Sequence, residues 1–512
     1  MRFKLCLTIL LFLFTTLLLP LLYPVEAASD WSEPVNLSSK MQHAWFPDIV
    51  VDGAGTAHVV FLGSDFFEMK DSPIWEKYDK VYYNSISPEG NVDPKGPYNI
   101  SVSPYGVVPR SSVAFDNTRG ILELVYRSRP SLNFQYAPAI EASIPTAWST
   151  SRNIDDFNTS YYSDILVDKK GTIHVVWTQI EGTDFAKMSQ VVMYRRSEDF
   201  GKSWSYPKLI GEPKYGATKV TIKADISNGL HVSWDDGYDN QTGRNQAAFG
   251  GYTHSFDDGN KWSDPLTFGS EKEPIAQTTL TTFGENGVML AWRVLEKQQI
   301  FYMVSQDNGL NFSEPTAIPD ISARRFSSQH FFDRYYLAGD GNGRVHLAAI
   351  ALTPSGKKGE IEKAEDLAAY HVVWENGNWL QPEIIGIVPG FAEYPRIGLG
   401  PDRIHVVWFA RNKPTDDDSK SVWYSSKTYD TGIQPQPIGT YTRPEQTPQT
   451  PSMPVATVKP QPVLPPVEAG GTRQWLEESY TAAALAIIPV FAIGGLLAIT
   501  ITLRNRHRGK RL

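Results

Sequence analysis

Cysteine is all but missing, since Cys6 is the one thiol in 512 residues. It lies inside an apolar N-terminal run, "LCLTILLFLFTTLLLPLLY", which follows the basic residues Arg2 and Lys4. The run ends at "VEA", with small residues Val25 and Ala27 at the −3 and −1 positions, so residues 1–27 read as a secretory signal peptide cut after Ala27. An uncleaved signal anchor is the alternative. Cleavage removes Cys6, which excludes disulfides, Cys-ligated zinc and a Cys nucleophile from the mature chain. Positive charge is also scarce. The formal net charge is −8; subtracting the +1 of residues 1–27 and the +5 of the C-terminal "RNRHRGKRL" leaves −14 on the part expected outside the cell. Such an acidic body argues against nucleic acid and anionic membrane surfaces as partners. No helical period runs through residues 30–440, which excludes a helical bundle.

A second long uncharged run occurs near the C-terminus. "YTAAALAIIPVFAIGGLLAITITL" (480–503) is 24 residues without a charge, long enough to cross a bilayer, with a buried core helix as the alternative reading. The basic stop at 504–512 places that end in the cytoplasm. Before it, Pro435–Pro466 holds ten prolines in 32 residues and reads as an extended stalk. The expected order is signal peptide 1–27, folded body 28–440, Pro-rich stalk 441–479, membrane span 480–503 and tail 504–512. Sequons at Asn36, Asn99, Asn158, Asn240 and Asn311 suit an exported surface.

The body is a repeat. A Gly/Asn/Asp turn feeding a β-branched and aromatic run recurs in "DGAGTAHVVF", "DKKGTIHVVW", "DISNGLHVSW", "GENGVMLAW", "GDGNGRVHLAAI" and "GPDRIHVVW", with a weaker copy, "DNTRGILELVY". Aligned on the histidine position the copies fall at 58, 123, 174, 231, 289, 346 and 405. Seven units of 51 to 65 residues, each with several short strands, predict an all-β protein: a β-propeller of seven four-stranded blades, with six or eight as alternatives. "WSEPVNL" (Trp31–Leu37) resembles a last strand without its first three, so it is expected to complete the final blade and close the ring. "GIQPQPI" after Gly432 competes for that place. His58, His174, His231, His346 and His405 occupy equivalent strand positions in different units, so they read as packed strand residues and not as a metal cluster.

A second motif punctuates the units. "SEDFGKSW", "SFDDGNKW" and "SQDNGLNF" share Ser-x-Asp-x-Gly-x-x-aromatic, in which Asp and Ser can bond backbone N–H groups and Gly takes positive φ. The pattern resembles the Asp box, the BNR repeat of sialidase-like β-propellers. By that resemblance Ser197, Asp199, Gly201, Trp204, Ser255, Asp257, Gly259, Trp262, Ser305, Asp307, Gly309 and Phe312 are structural and stand away from the ligand face. Degenerate copies are "SISPEGNV" and "ENGNW".

The resemblance also implies a site. Sialidases grip a substrate carboxylate with three arginines, which suits the planar guanidinium fork, and use a Tyr nucleophile paired with Glu plus an Asp acid/base. The family's first arginine lies in a Phe/Tyr-Arg-Ile-Pro step; here that place reads "FPDI", with Asp48 instead. Other inner-strand starts carry Arg110, Asp164, Arg334 and Arg396. Arg110, Arg334 and Arg396 are the candidate anion clamp, Asp48 or Asp164 the candidate acid, and Tyr335, Tyr336 or Tyr394 the candidate nucleophile. No cofactor is expected; Ca²⁺ at the acidic loops "WDDGYDN" and "TDDDSK" is the one metal candidate. The expected protein is a membrane-anchored, cell-surface propeller recognising an extracellular glycan or protein. A tethered exo-sialidase or related glycoside hydrolase is the first alternative, and a structural surface-layer component the second.

Overall fold

The computed structural model describes residues 30–41, 43–64, 80–100, 110–128, 131–156, 159–181, 189–237, 248–294, 297–323, 335–353, 363–412 and 420–441. The chain divides into two compact units, Met1–Thr442 and Arg443–Leu512, and every described residue lies in the first. The signal peptide, most of the stalk, the apolar run at 480–503 and Arg334 fall outside the described residues. Among the described residues no helix is long and apolar enough to cross a membrane.

The described body is all-β and consists of antiparallel sheets in chain order. Their first strands are His43–Val51, Ser112–Asp116, Ser160–Val167, Ala217–Ala224, Ile275–Phe283, Tyr335–Gly339 and Phe391–Leu399, here numbered sheets 1 to 7. Sheets 1 to 5 each add three further strands in meander order, sheet 6 adds two strands and a split outer edge, and sheet 7 adds two strands of its own. Each first strand contacts the first strand of the next sheet, and that of sheet 7 contacts that of sheet 1. This circle of four-stranded sheets has the layout of propeller blades. Sheets 7 and 1 are also joined by one parallel bridge, His43 to Lys420.

The fourth strand of sheet 7 comes from the other end of the chain. Val35–Asn36 pairs antiparallel with Tyr424 and Trp423 of the strand Lys420–Thr428. Trp31 anchors it: its ring stands edge-on to His371 at 5.4 Å and its Nε1–H donates to Glu383 at 3.3 Å. The competing segment after Gly432 forms no strand. It crosses the turns between first and second strands instead, with Gly341 N–H donating to Thr431, Gln436 N–H to Gly53 and Gly439 N–H to Asn117, all to carbonyl oxygens. Those turns belong to sheets 6, 1 and 2, so the segment straps the ring across its closure.

The second strands are sandwiched between neighbouring sheets, which is why "IHVVW" and "VHLAAI" are apolar without alternation. Their histidines are buried and partnered. Nδ1 of His58, His174, His231 and His405 meets the hydroxyl of Tyr83, Tyr194, Tyr252 and Tyr424 at 2.7–2.9 Å, and His346 meets His371 at 2.9 Å. On the other ring nitrogen, Asp52, Asp168, Asp225 and Asp340 lie 3.0–3.4 Å away. Each Asp also accepts two N–H bonds from its turn, for example Ala54 and Thr56 on Asp52. The histidine thus ties the turn to the third strand inside one sheet.

The Ser-x-Asp-x-Gly turns join third to fourth strands and share one hydrogen-bond pattern. Ser255 Oγ–H donates to Asp257 at 3.0 Å and accepts from Gly259 N–H at 3.0 Å, while Asp257 accepts from Lys261 N–H at 2.7 Å. Asp199 and Asp307 repeat it. Their glycines have φ of 70° to 79°, and a Cβ on Gly201, Gly259 or Gly309 would overlap Phe134, Tyr194 or Tyr252 of the preceding sheet. Trp204, Trp262 and Phe312 stand edge-on to those same rings at 5.0–5.3 Å. These turns therefore lock sheets 3, 4 and 5 each onto the one before it. Trp31 does the same for sheet 7.

Candidate functional site: an axial cluster of arginine, lysine, aspartate and tyrosine

Because strands alternate in direction, the starts of the first strands lie at the opposite end of the sheets from the turns just described. Five first strands carry a bulge at one equivalent place: Phe46–Pro47, Tyr161–Tyr162, Lys219–Val220, Gln277–Thr278 and Tyr394–Pro395 each face a single residue of the second strand. Phe46, Lys219, Gln277 and Tyr394 take φ of 48° to 62°, a conformation that costs non-glycine residues about 1–2 kcal/mol. Bulges re-aim the side chains beside them. Strained backbone of this kind clusters at functional sites, and here it recurs around one axis.

All seven first strands contribute to the cavity on that axis. It is lined by Asp48, Arg110, Ser111, Tyr162, Ser163, Asp164, Lys219, Thr221, Gln277, Thr279, Tyr335, Tyr336, Tyr394 and Arg396, among others, and its volume is about 50 Å3. Seven of the eight inner-strand residues singled out in the sequence meet here: Asp48, Arg110, Asp164, Tyr335, Tyr336, Tyr394 and Arg396. The eighth, Arg334, lies outside the described residues. Lys219, Thr221, Gln277, Thr279 and Tyr162 were missed; aligning the strand starts "TKVTIK" and "QTTL" on "FPDI" and "YPRI" finds them.

The cations are held by aromatic rings. The Arg396 guanidinium lies 3.7 Å from the Tyr394 ring centroid and 4.5 Å from that of Tyr336, with Nε 3.9 Å from Asp48. That of Arg110 lies 4.4–5.0 Å from Phe46, Tyr161 and Tyr162. Phe46 and Tyr394 stand edge-on at 5.0 Å, linking the two groups. Lys223, half-buried beside them, donates to the Tyr336 hydroxyl at 2.9 Å.

The two aspartates have structural ties as well. Asp48 accepts from Val113 N–H and Asp164 from Ile222 N–H, both at 2.9 Å and both across to the next sheet. Burial raises both carboxyls, against the attraction of Arg396 on Asp48 and of Lys223 on Asp164, and Asp164 is pushed up to about 6. Burial likewise raises the Tyr336 phenol. Burial alone would lower the Lys223 ammonium, but Tyr336, Asp164 and Asp48 outweigh it and the net shift is upward. The Arg110 guanidinium, helped by Arg127, lowers the Tyr161 phenol against its burial.

The acidic loop at Trp234–Asn240 is already engaged where it is described. Asp235 accepts from Gln277 and Thr278 N–H at 2.6–2.7 Å, and Asp236 from Lys214 and Tyr215 N–H at 2.6–2.9 Å. Residues 238–240 and 415–419 lie outside the described residues, and no group of three or more metal-ligating side chains occurs among the described ones.

No family model matches the sequence, and no curated protein matches it. Solved structures similar to this chain include a protein of unknown function from Dyadobacter fermentans, at 13% identity over 78% of this chain and 99% of that one, with a TM-score of 0.48. The polysaccharide lyase Uly1 is similar at 10% identity, over 73% and 88% of the two chains, with a TM-score of 0.47. The NanB sialidase of Streptococcus pneumoniae is similar at 11% identity, over 78% and 70%, with a TM-score of 0.41.

Proposed function

We propose that this chain is an exported, membrane-tethered, seven-bladed β-propeller of the sialidase-like kind, and that its axial cluster recognises the carboxylate of an acidic saccharide without cleaving it. The observation that carries this reading is the size and charge of the axial cavity. About 50 Å3 admits a carboxylate or a few waters, at roughly 10–15 Å3 per water, and not a whole sugar ring. Arg110, Lys219 and Arg396 line the cavity with Asp48 and Asp164, so cations outnumber carboxylates, and burial pushes both carboxyls toward their neutral forms. A guanidinium fork held by aromatic rings is preorganised for a bidentate carboxylate.

Several features speak against hydrolysis. Tyr336 has a raised phenol and accepts from Lys223, where a nucleophile would need a base. Tyr394 lies under Arg396. The second reading, a tethered glycoside hydrolase, rests on Asp164, whose carboxyl at about 6 suits a general acid. Turnover of a fluorogenic sialoside by the full-length protein, beside an Arg396→Ala variant, separates the two. Wild-type turnover lost in the variant favours hydrolysis; retained binding of sialic or glucuronic acid without turnover favours recognition.

A further inference from the structure

The junction of sheets 5 and 6 lacks the glycine contact that locks sheets 3, 4 and 5 onto their predecessors. Between sheets 5 and 6, on the face opposite the axial cluster, lies a groove of about 470 Å3. Two departures from the repeat open it. In sheet 5 the Asp and His of the buried chain are replaced by Phe283 and Met289, so no carboxylate and imidazole fill the turn. In sheet 6 the third-to-fourth-strand connection is the two-residue turn Asn376–Gly377, with φ of 52° and 86°, and not a Ser-x-Asp-x-Gly turn. Gly201, Gly259 and Gly309 press against the preceding sheet, whereas a Cβ on Gly377 would meet nothing within 4 Å.

The lining of the groove has a definite chemistry. Phe283 and Trp374 meet edge-on at 5.2 Å at its floor, and the buried Trp374 Nε1–H has no hydrogen-bond partner among the described residues. The exposed residues Asn286, Gln306 and Asn376 surround them, and Glu285 is the one charged residue of the lining. No Lys or Arg lines it, in contrast to the axial cavity, so nothing there favours an anion. Aromatic edges, free amides and bare glycine backbone are the groups that satisfy hydroxyls and C–H faces together. We propose that this groove is a second ligand site, for a neutral saccharide, independent of the axial one. Its volume lies within the roughly 300–1,000 Å3 of small-molecule sites.

The test uses the full-length protein in a detergent without a sugar headgroup. Lactose, maltose, cellobiose and N,N′-diacetylchitobiose are titrated one by one, read by saturation-transfer NMR and by tryptophan fluorescence. The expected result is binding of at least one of them at millimolar concentration or below, weakened tenfold or more by Asn286→Ala combined with Gln306→Ala, two exposed positions that leave the fold intact. Trp374→Phe keeps the floor, removes the unpaired N–H and weakens binding as well. Glucuronate, the probe for the axial site, does not compete. Absence of binding by all four sugars overturns the proposal, and so does binding that the double variant leaves unchanged or that glucuronate displaces.

Discussion

Replacing Gly309 by alanine tests the inter-sheet locks directly, because Gly377 provides an internal control. Both glycines have positive φ, 79° and 86°, so alanine costs each about 1–2 kcal/mol in backbone strain. At Gly377 the new methyl meets open space and the cost ends there. At Gly309 it overlaps the Tyr252 hydroxyl, which also holds His231 Nδ1 at 2.7 Å. Tyr252 is a buried ring at 2% exposure, edge-on to Phe312, and has no free volume to retreat into. Relieving the overlap breaks the tyrosine–histidine bond, worth about 1 kcal/mol, and overpacks the junction of sheets 4 and 5 by about 1–3 kcal/mol. Gly309→Ala is therefore expected to cost about 3–6 kcal/mol in all, at least about 2 kcal/mol more than Gly377→Ala. Urea denaturation of the two variants, followed by tryptophan fluorescence, reads the gap as a difference in midpoint. Equal midpoints would refute the claim that these turns lock one sheet to the next.

Other expectations concern buried charge and closure. His405 is pushed down to about 3, first by burial and then by Arg403. A histidine lowered in the fold gives stability that is whole above its unfolded value of 6.5 and fades as pH falls. It should lose about 2 kcal/mol by pH 5, and the gap between wild type and His405→Gln should narrow over that window in urea melts. Asp164 works the other way: its carboxyl, raised to about 6 by burial, stabilises most below the unfolded value and loses about 3 kcal/mol as pH rises through 6. Asp164→Asn, which keeps the acceptor for Ile222 N–H, should thus gain on wild type from pH 4 to 7. Arg411 and Glu393 form a buried bidentate pair, with Nε–Oε2 at 2.9 Å. Arg411→Met alone should cost about 3–5 kcal/mol, and the added Glu393→Gln should recover most of it. Trp31→Ala removes the clasp that closes the ring and should cost about 3 kcal/mol, visible as a lower thermal midpoint.

The repeat was readable because its signals are periodic and chemical at once. A turn and an apolar run recurring every 51 to 65 residues, with a histidine in five of the seven copies, marked the second strands, and "WSEPVNL" carried enough of the last-strand pattern to place Val35–Asn36 beside Lys420–Thr428. The partners of that pattern were less visible. Nothing local to Gly259 says that it presses on Tyr194, 65 residues earlier, because the contact exists only once two sheets stack. The axial cluster was half legible. Arg110, Arg396, Asp48 and Asp164 stood out as charges at strand starts, whereas Lys219, Gln277 and Thr279 did not. Their placement depends on bulges with positive φ at non-glycine residues, for which composition gives no sign. The segment after Gly432, the competing candidate for the closing strand, crosses turns and does not join a sheet.

The proposed ligand of the axial cluster is a carboxylate. Calorimetric titration of the full-length protein with N-acetylneuraminic acid and with glucuronic acid, each beside its methyl ester, tests it most directly. At least one free acid is expected to bind, its ester at least tenfold more weakly, and Arg396→Ala is expected to bring the acid down to the ester. Equal binding of acid and ester, or acid binding that survives loss of Arg396, would contradict it.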